Sequence, residues 1–177
     1  MRPRDVDALL ALLARGSARF DEPDLDVLAH SLQCAAILGR EHPDDPELVA
    51  AGLVHDVADA LPGGHGDHAR RGAELVAGLL GARVARLVAA HVDAKRYLVA
   101  TERSYADALS ARSAQTLRDQ GGPMTAAEAA RFARDPDLDA ILALRRADER
   151  AKRPGAVVPG LDHWRGVLEA CCDRTGD

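Results

Sequence analysis

The chain has 177 residues, 47% of them apolar but only 3% aromatic, so a core must be built from Ala, Leu and Val, the composition of packed helices. A formal net charge of −5 argues against nucleic acid as the main partner. Cys34, Cys171 and Cys172, an odd count with an adjacent pair, form no disulfide framework and fit a reducing cytoplasm. No apolar stretch is expected to reach the length of a membrane span, so no membrane partner is expected. Met1-Arg2-Pro3-Arg4 ahead of Leu9–Leu13 imitates a signal peptide, but Asp5 and Asp7 precede a run that is too short and Arg15 closes it.

Residues 5–15 read as a first helix with Leu9, Leu10, Leu12 and Leu13 on one broad face, followed by a loop over 16–23. A second helix covers 24–40, where His30 and Cys34 share a side. Asp45-Pro46, a cap followed by proline in the first turn, opens a third helix that carries His55 and Asp56. Leu61 to Gly66 breaks it. Asp67 can cap a fourth helix with His68 in its first turn, and Gly81 ends that helix. A fifth runs from about Arg83 to Ala100 and holds His91. Residues 104–120 give one or two short helices that stop at Gly121-Gly122-Pro123. Thr125 to Glu128 is a capping box opening a helix to about Arg134. Asp135-Pro136 starts another helix that runs to about Lys152, and 161–173 form the last. No strand alternation, repeat or low-complexity linker is present, so the expectation is an all-α chain forming one domain over 1–177.

His55-Asp56 ends the apolar run Leu48–Val54. Charged side chains placed against a core need a partner, and a divalent metal is the simplest one for an imidazole beside a carboxylate. His30, His68, His91 and Asp148 offer the same ligand types from four further segments. His65 lies among glycines and reads as a solvated loop residue, while His42 and His163 read as surface or satisfied side chains. Lys95 follows His91 by four residues and Arg145 precedes Asp148 by three, so each cation shares a helix face with a ligand. Ser113, Thr116 and Gln120 follow helical spacing and add neutral hydrogen-bonding groups.

His30, His55-Asp56, His68, His91 and Asp148 resemble the two-metal form of the HD-domain pattern. The stretches Ala94-Lys95-Arg96-Tyr97-Leu98, Gln120-Gly121-Gly122-Pro123-Met124 and Leu144 to Lys152 resemble the di-iron HD-domain oxygenases of phosphonate breakdown, similar in chemistry to myo-inositol oxygenase. The match covers roughly residues 25–153. The resemblance implies a helical HD bundle with metal 1 on His30, His55, Asp56 and Asp148 and metal 2 on His68 and His91, Asp56 bridging the two. It implies two iron ions, Fe(II)/Fe(III), with O2 as co-substrate. Lys95, Ser113, Thr116, Gln120 and Arg145 would hold the phosphonate group, with Asp56 and Lys95 in catalytic roles. Arginine and lysine together suit a dianionic phosphoryl head.

Three positions depart from that pattern. Phe20 stands where the family has a metal-capping tyrosine, Glu22 is the nearest acid to receive an ammonium group, and Asp59 replaces a histidine. The expected reaction is C–P cleavage of a 1-hydroxyphosphonate of the 2-amino- or 2-trimethylammonio-ethyl type, giving phosphate and a carboxylic acid. The alternative is a metal-dependent phosphohydrolase of a nucleotide or other phosphate ester, which would use the same dyad and cations. A non-catalytic metal- or ligand-binding protein is the third class. Nothing in the sequence fixes the oligomeric state.

Overall fold

The computed structural model describes residues 2–22, 24–61 and 67–173, the side chains of Phe20, Asp21, Glu22 and Asp173 excepted. The described residues form nine α-helices and one small two-stranded ribbon: α1 (Val6–Ala14), β1 (Phe20–Glu22), β2 (Leu25–Asp26), α2 (Val27–Glu41), α3 (Pro46–Val54), α4 (His68–Thr101), α5 (Arg103–Asp107), α6 (Ala111–Asp119), α7 (Ala126–Phe132), α8 (Leu138–Arg150) and α9 (Arg165–Asp173). The all-helical expectation holds. The ribbon is the exception. It pairs β1 with β2 antiparallel and turns through Asp24 at φ 60°. Strands of two and three residues carry too little alternation to read from sequence.

Helix starts follow short-range chemistry. The side chains of Asp5, Asp26 and Asp45 accept backbone N–H groups from the first turns of α1, α2 and α3. Thr125 and Glu128 close the predicted capping box of α7. Three expectations change. Asp67 turns its carboxylate to Arg70 rather than to the backbone, and α8 begins at Leu138, where Asp135 accepts the N–H of Asp137. α3 ends at Val54, so His55 and Asp56 lie just past the helix rather than on it.

α2, α3, α4, α8 and α9 pack on one core of Leu, Val and Ala, closed by Trp164. α2 and α3 cross at Gly52, where an added Cβ would stand 2.5 Å from Leu38 Cδ1 and 3.4 Å from Cys34 Sγ. α4 is two helices joined at Gly81, whose φ 90° and ψ 169° are open to glycine almost alone. Its total length and hydropathy would suffice to cross a membrane, contrary to expectation. Here both halves belong to the fold: Val76, Leu80, Val84, Leu87, Val88, Ala94 and Leu98 are buried in it. Arg83, just past the break, ties α4 to Asp45 and Glu47 at 2.7 and 3.2 Å and to Asp137 at 3.1 Å.

Candidate metal centre

Six predicted ligands from five segments converge. His30 comes from the first turns of α2, His55 and Asp56 from the end of α3, His68 from the first turn of α4, His91 from its second half, and Asp148 from α8. In the first cluster His30 Nε2 lies 3.2 Å from His55 Nε2, 3.2 Å from Asp148 Oδ1 and 3.7 Å from Asp56 Oδ2. His55 Nε2 lies 3.2 Å from Asp56 Oδ2 and 3.9 Å from Asp148 Oδ1. In the second cluster His68 Nε2 and His91 Nε2 stand 3.1 Å apart, at 3.6 and 3.7 Å from Asp56 Oδ1. Asp56 therefore gives one oxygen to each cluster.

These spacings fit metal ions. Ligands held at about 2.0–2.2 Å from one ion stand about 3.0–3.5 Å from one another. Hydrogen bonding fixes the donor atoms. His30 Nδ1–H donates to Ala151 O at 3.2 Å, His55 Nδ1–H to Gly52 O at 2.9 Å and His91 Nδ1–H to Val88 O at 2.6 Å. A carbonyl only accepts, so each Nδ1 carries a proton and each ring turns its Nε2 toward the cluster, the atom that a metal would take. The facing lone pairs of His30 and His55, beside two carboxylates, repel unless positive charge lies among them.

The titration behaviour agrees. Burial pushes both aspartate carboxyls up, but His55 outweighs it at Asp56 and Arg145 outweighs it at Asp148, and both stay well below the usual range. Burial pulls His55 down, yet Asp56 and Asp148 lift it to about 9. Burial and then His68 drive His91 down to about 3, leaving a neutral imidazole suited to a metal.

A cavity of about 60 Å³ opens on Asp56, His68, His91 and Asp148. Lys95, Ser113, Thr116, Gln120 and Arg145 line it, as does Asp59. Lys95 Nζ donates to Thr116 Oγ1 at 2.8 Å, and burial followed by Arg145 lowers its pKa to about 8. Gln120 Oε1 is buried without a hydrogen-bond partner in the protein. Arg145 Nε donates to Tyr105 Oη at 2.7 Å, and its other nitrogens pair with Asp148 Oδ2 and Glu149 Oε2. Thus Arg145 grips the free oxygen of a metal ligand as well as facing the cavity. Ser113 gives its hydroxyl proton to Glu149 at 2.8 Å.

The sequence reading missed Arg112 and Lys152 on the cavity wall and Glu149 and Tyr105 behind it. Lys152 lies four residues beyond Asp148, a spacing that periodicity could have raised. Arg112 precedes Thr116 by four in the same way, while Tyr105 carries no such phase. The side chain of Glu22, the ring of Phe20 and all of His65 lie outside the described residues. His42 caps the end of α2, and His163 packs edge-on against Trp164.

Residues 27–120 match the HD domain family, a span that contains five of the six ligands and ends before Asp148. The chain is 31% identical to the hydroxymethylphosphonate dioxygenase of Gimesia maris, over 96% of this chain and 89% of that one. It is 30% identical to the [1-hydroxy-2-(trimethylamino)ethyl]phosphonate dioxygenase (glycine-betaine-forming) of Leisingera caerulea, over 90% of this chain and 86% of that one. Family match, helical fold and ligand clusters agree: the chain belongs to the HD-domain family and, within it, to the group of these phosphonate dioxygenases.

Proposed function

We propose that this enzyme is a mixed-valent di-iron dioxygenase, cytoplasmic, that cleaves the C–P bond of a 1-hydroxyphosphonate. The observation that carries the reading is Asp56, shared between two histidine clusters that open on a cavity walled by cations. His30, His55, Asp56 and Asp148 would hold one iron, and His68, His91 and Asp56 the other. Bound there, the Fe(II)/Fe(III) pair supplies activation of O2 and oxidation at C1. In balance, the C1–P bond and one C1–H bond break, one oxygen atom of O2 enters the carboxylic acid and the other enters phosphate.

The residues of the chain bind and orient. Lys95, with Thr116 beside it, brings an ammonium to the phosphonate oxygens, and Gln120 faces the same space. Arg145 adds a guanidinium whose plane is fixed by Tyr105, Asp148 and Glu149. Such preorganised donors act strongly where water is excluded. Asp59 lines the same cavity. A carboxylate there suits a cationic substituent on C2, with Glu22 as a further acid.

The test is aerobic and anaerobic incubation of iron-loaded protein with hydroxymethylphosphonate and with the 2-amino- and 2-trimethylammonio-1-hydroxyethylphosphonates. O2-dependent phosphate release is expected, fastest with a cationic substituent. Phosphate release from phosphate esters without O2 would replace this reading with the hydrolase one. A preference for hydroxymethylphosphonate would show that Asp59 does not read the substrate.

A further inference from the structure

Lys152 lies two residues past the end of α8 and lines the same cavity as Lys95. Its side chain is 12% exposed. Its Nζ donates to Ser113 Oγ at 2.6 Å and to Ser110 Oγ at 3.3 Å, and it stands 3.2 Å from Glu149 Oε2. Ser113 Oγ also accepts from Arg145 Nη2 at 3.2 Å while donating its proton to Glu149. A hydroxyl has one proton and two lone pairs, so these partners saturate Ser113. It cannot donate to an arriving anion while its proton stays on Glu149.

The two cations at this corner differ in freedom. Arg145 is held on three sides by Tyr105, Asp148 and Glu149, and its planar fork cannot turn without breaking a contact to a metal ligand. Lys152 carries three donors on a rotatable ammonium, so it can release a hydroxyl while keeping its carboxylate. Its charge also reaches Lys95, as that of Arg145 does. Lys95, Arg145 and Lys152, with Arg112 on the same wall, thus press on one small cavity, partly offset by Glu149.

We propose that Lys152 is a direct anion-binding residue: on entry of a phosphonate dianion its ammonium turns from Ser113 Oγ to a phosphonate oxygen and stays paired with Glu149. Ser113 loses one donor and keeps its proton on Glu149, so the new contact to the anion comes from the ammonium itself. The inference rests on reading the cavity as the phosphonate site.

The experiment uses metal-loaded protein and inorganic phosphate as probe, with affinity measured by calorimetry, which needs no turnover. Lys152→Met should weaken phosphate binding roughly tenfold to a hundredfold, the loss of one charge-assisted contact. Lys152→Arg should restore most of it, and metal content should match wild type in both. Lys152→Met added to Ser113→Ala should weaken binding by a similar further factor. Unchanged affinity in Lys152→Met, or no further loss in the Ser113→Ala background, would make Lys152 a tether for Ser113 and overturn the proposal. If affinity falls as expected but hydroxyphosphonates yield no O2-dependent phosphate, the oxygenase reading fails and the anion site stands. Normal turnover with unmoved affinity gives the reverse.

Discussion

His68 and His91 present their Nε2 atoms to each other at 3.1 Å, although 23 residues separate them along one helical segment. On a straight helix that separation would be about 34 Å. The Gly81 break folds α4 back on itself, so the second cluster is built from one segment plus Asp56. Its loss should therefore be separable from the first. His68→Ala should lower bound iron from two equivalents to about one, and Asp56→Ala should lower it further still, as measured by metal analysis. Full loss in His68→Ala, or none, would contradict two clusters that share Asp56.

Arg145 binds the oxygen of Asp148 that points away from His30. From the sequence alone, Arg145→Ala should weaken anion affinity and leave metal intact. The structure adds a second effect, because Asp148 then loses its buried guanidinium while Glu149 is left to Lys152, Ser113 and the Ser110 N–H. Breaking a buried pair costs about 3–5 kcal/mol. Arg145→Ala should thus lower Tm by on the order of 10 °C and reduce first-cluster iron. Thermal unfolding of the apo and iron-loaded forms separates the two effects. An unchanged Tm with weaker phosphate binding would leave Arg145 as a pure anion contact.

Burial and Arg145 hold Lys95 at about 8, against an ordinary 10.5, with Lys152 pressing the same way and Asp148 and Glu149 opposing. Affinity for a dianionic ligand should be steady below about pH 8 and weaken above it. Lys95→Arg should remove that alkaline limb from the pH profile of KM. Stability moves the other way. Between about 8 and 10.5 the unfolded chain still holds a proton that the folded protein has released, so this site stabilises folding as pH rises through that window. Below 8 the cost of burying the ammonium is carried in full. A KM profile that stays flat to pH 10 would show Lys95 charged throughout.

Tyr105 is the hydrogen-bond acceptor of Arg145, and Tyr97 stacks on Phe132 with centroids 5.3 Å apart. These are the two tyrosines of the chain. Neither serves as a metal ligand here, and position 20 is phenylalanine. The iron-loaded enzyme should therefore show no tyrosinate-to-iron charge-transfer band. Phe20→Tyr should create one if the loop before α2 reaches the second iron. A strong band in the wild type would place a tyrosine on iron and refute the assignment.

Most of the candidate ligands were legible because they sit at helix positions whose phase and neighbours mark them, His91 with Lys95 and Arg145 with Asp148 above all. Ridges of Leu and Val marked the helices by the same logic. Other features depend on contacts across the fold. His55 and Asp56 follow α3 rather than ride on it, yet they divide as expected, His55 in the first cluster and Asp56 in both. Glu149, the anchor of Ser113, Arg145 and Lys152, looks like a solvated acid until α6 and α8 meet. The β1–β2 ribbon is too short to show a period. Gly81 was legible as a stop, but its reversal of the chain appears only when His68 meets His91.

That reversal makes the second cluster a matter of leverage. His68 lies 13 residues before Gly81 and His91 10 after it, arms of about 20 and 15 Å. At the end of a 20 Å arm a tilt of about 3° moves an atom by about 1 Å, half a metal–nitrogen bond. The fidelity of a catalytic distance is thus set at a glycine remote from any ligand, and an error of aim there would reach the metal magnified.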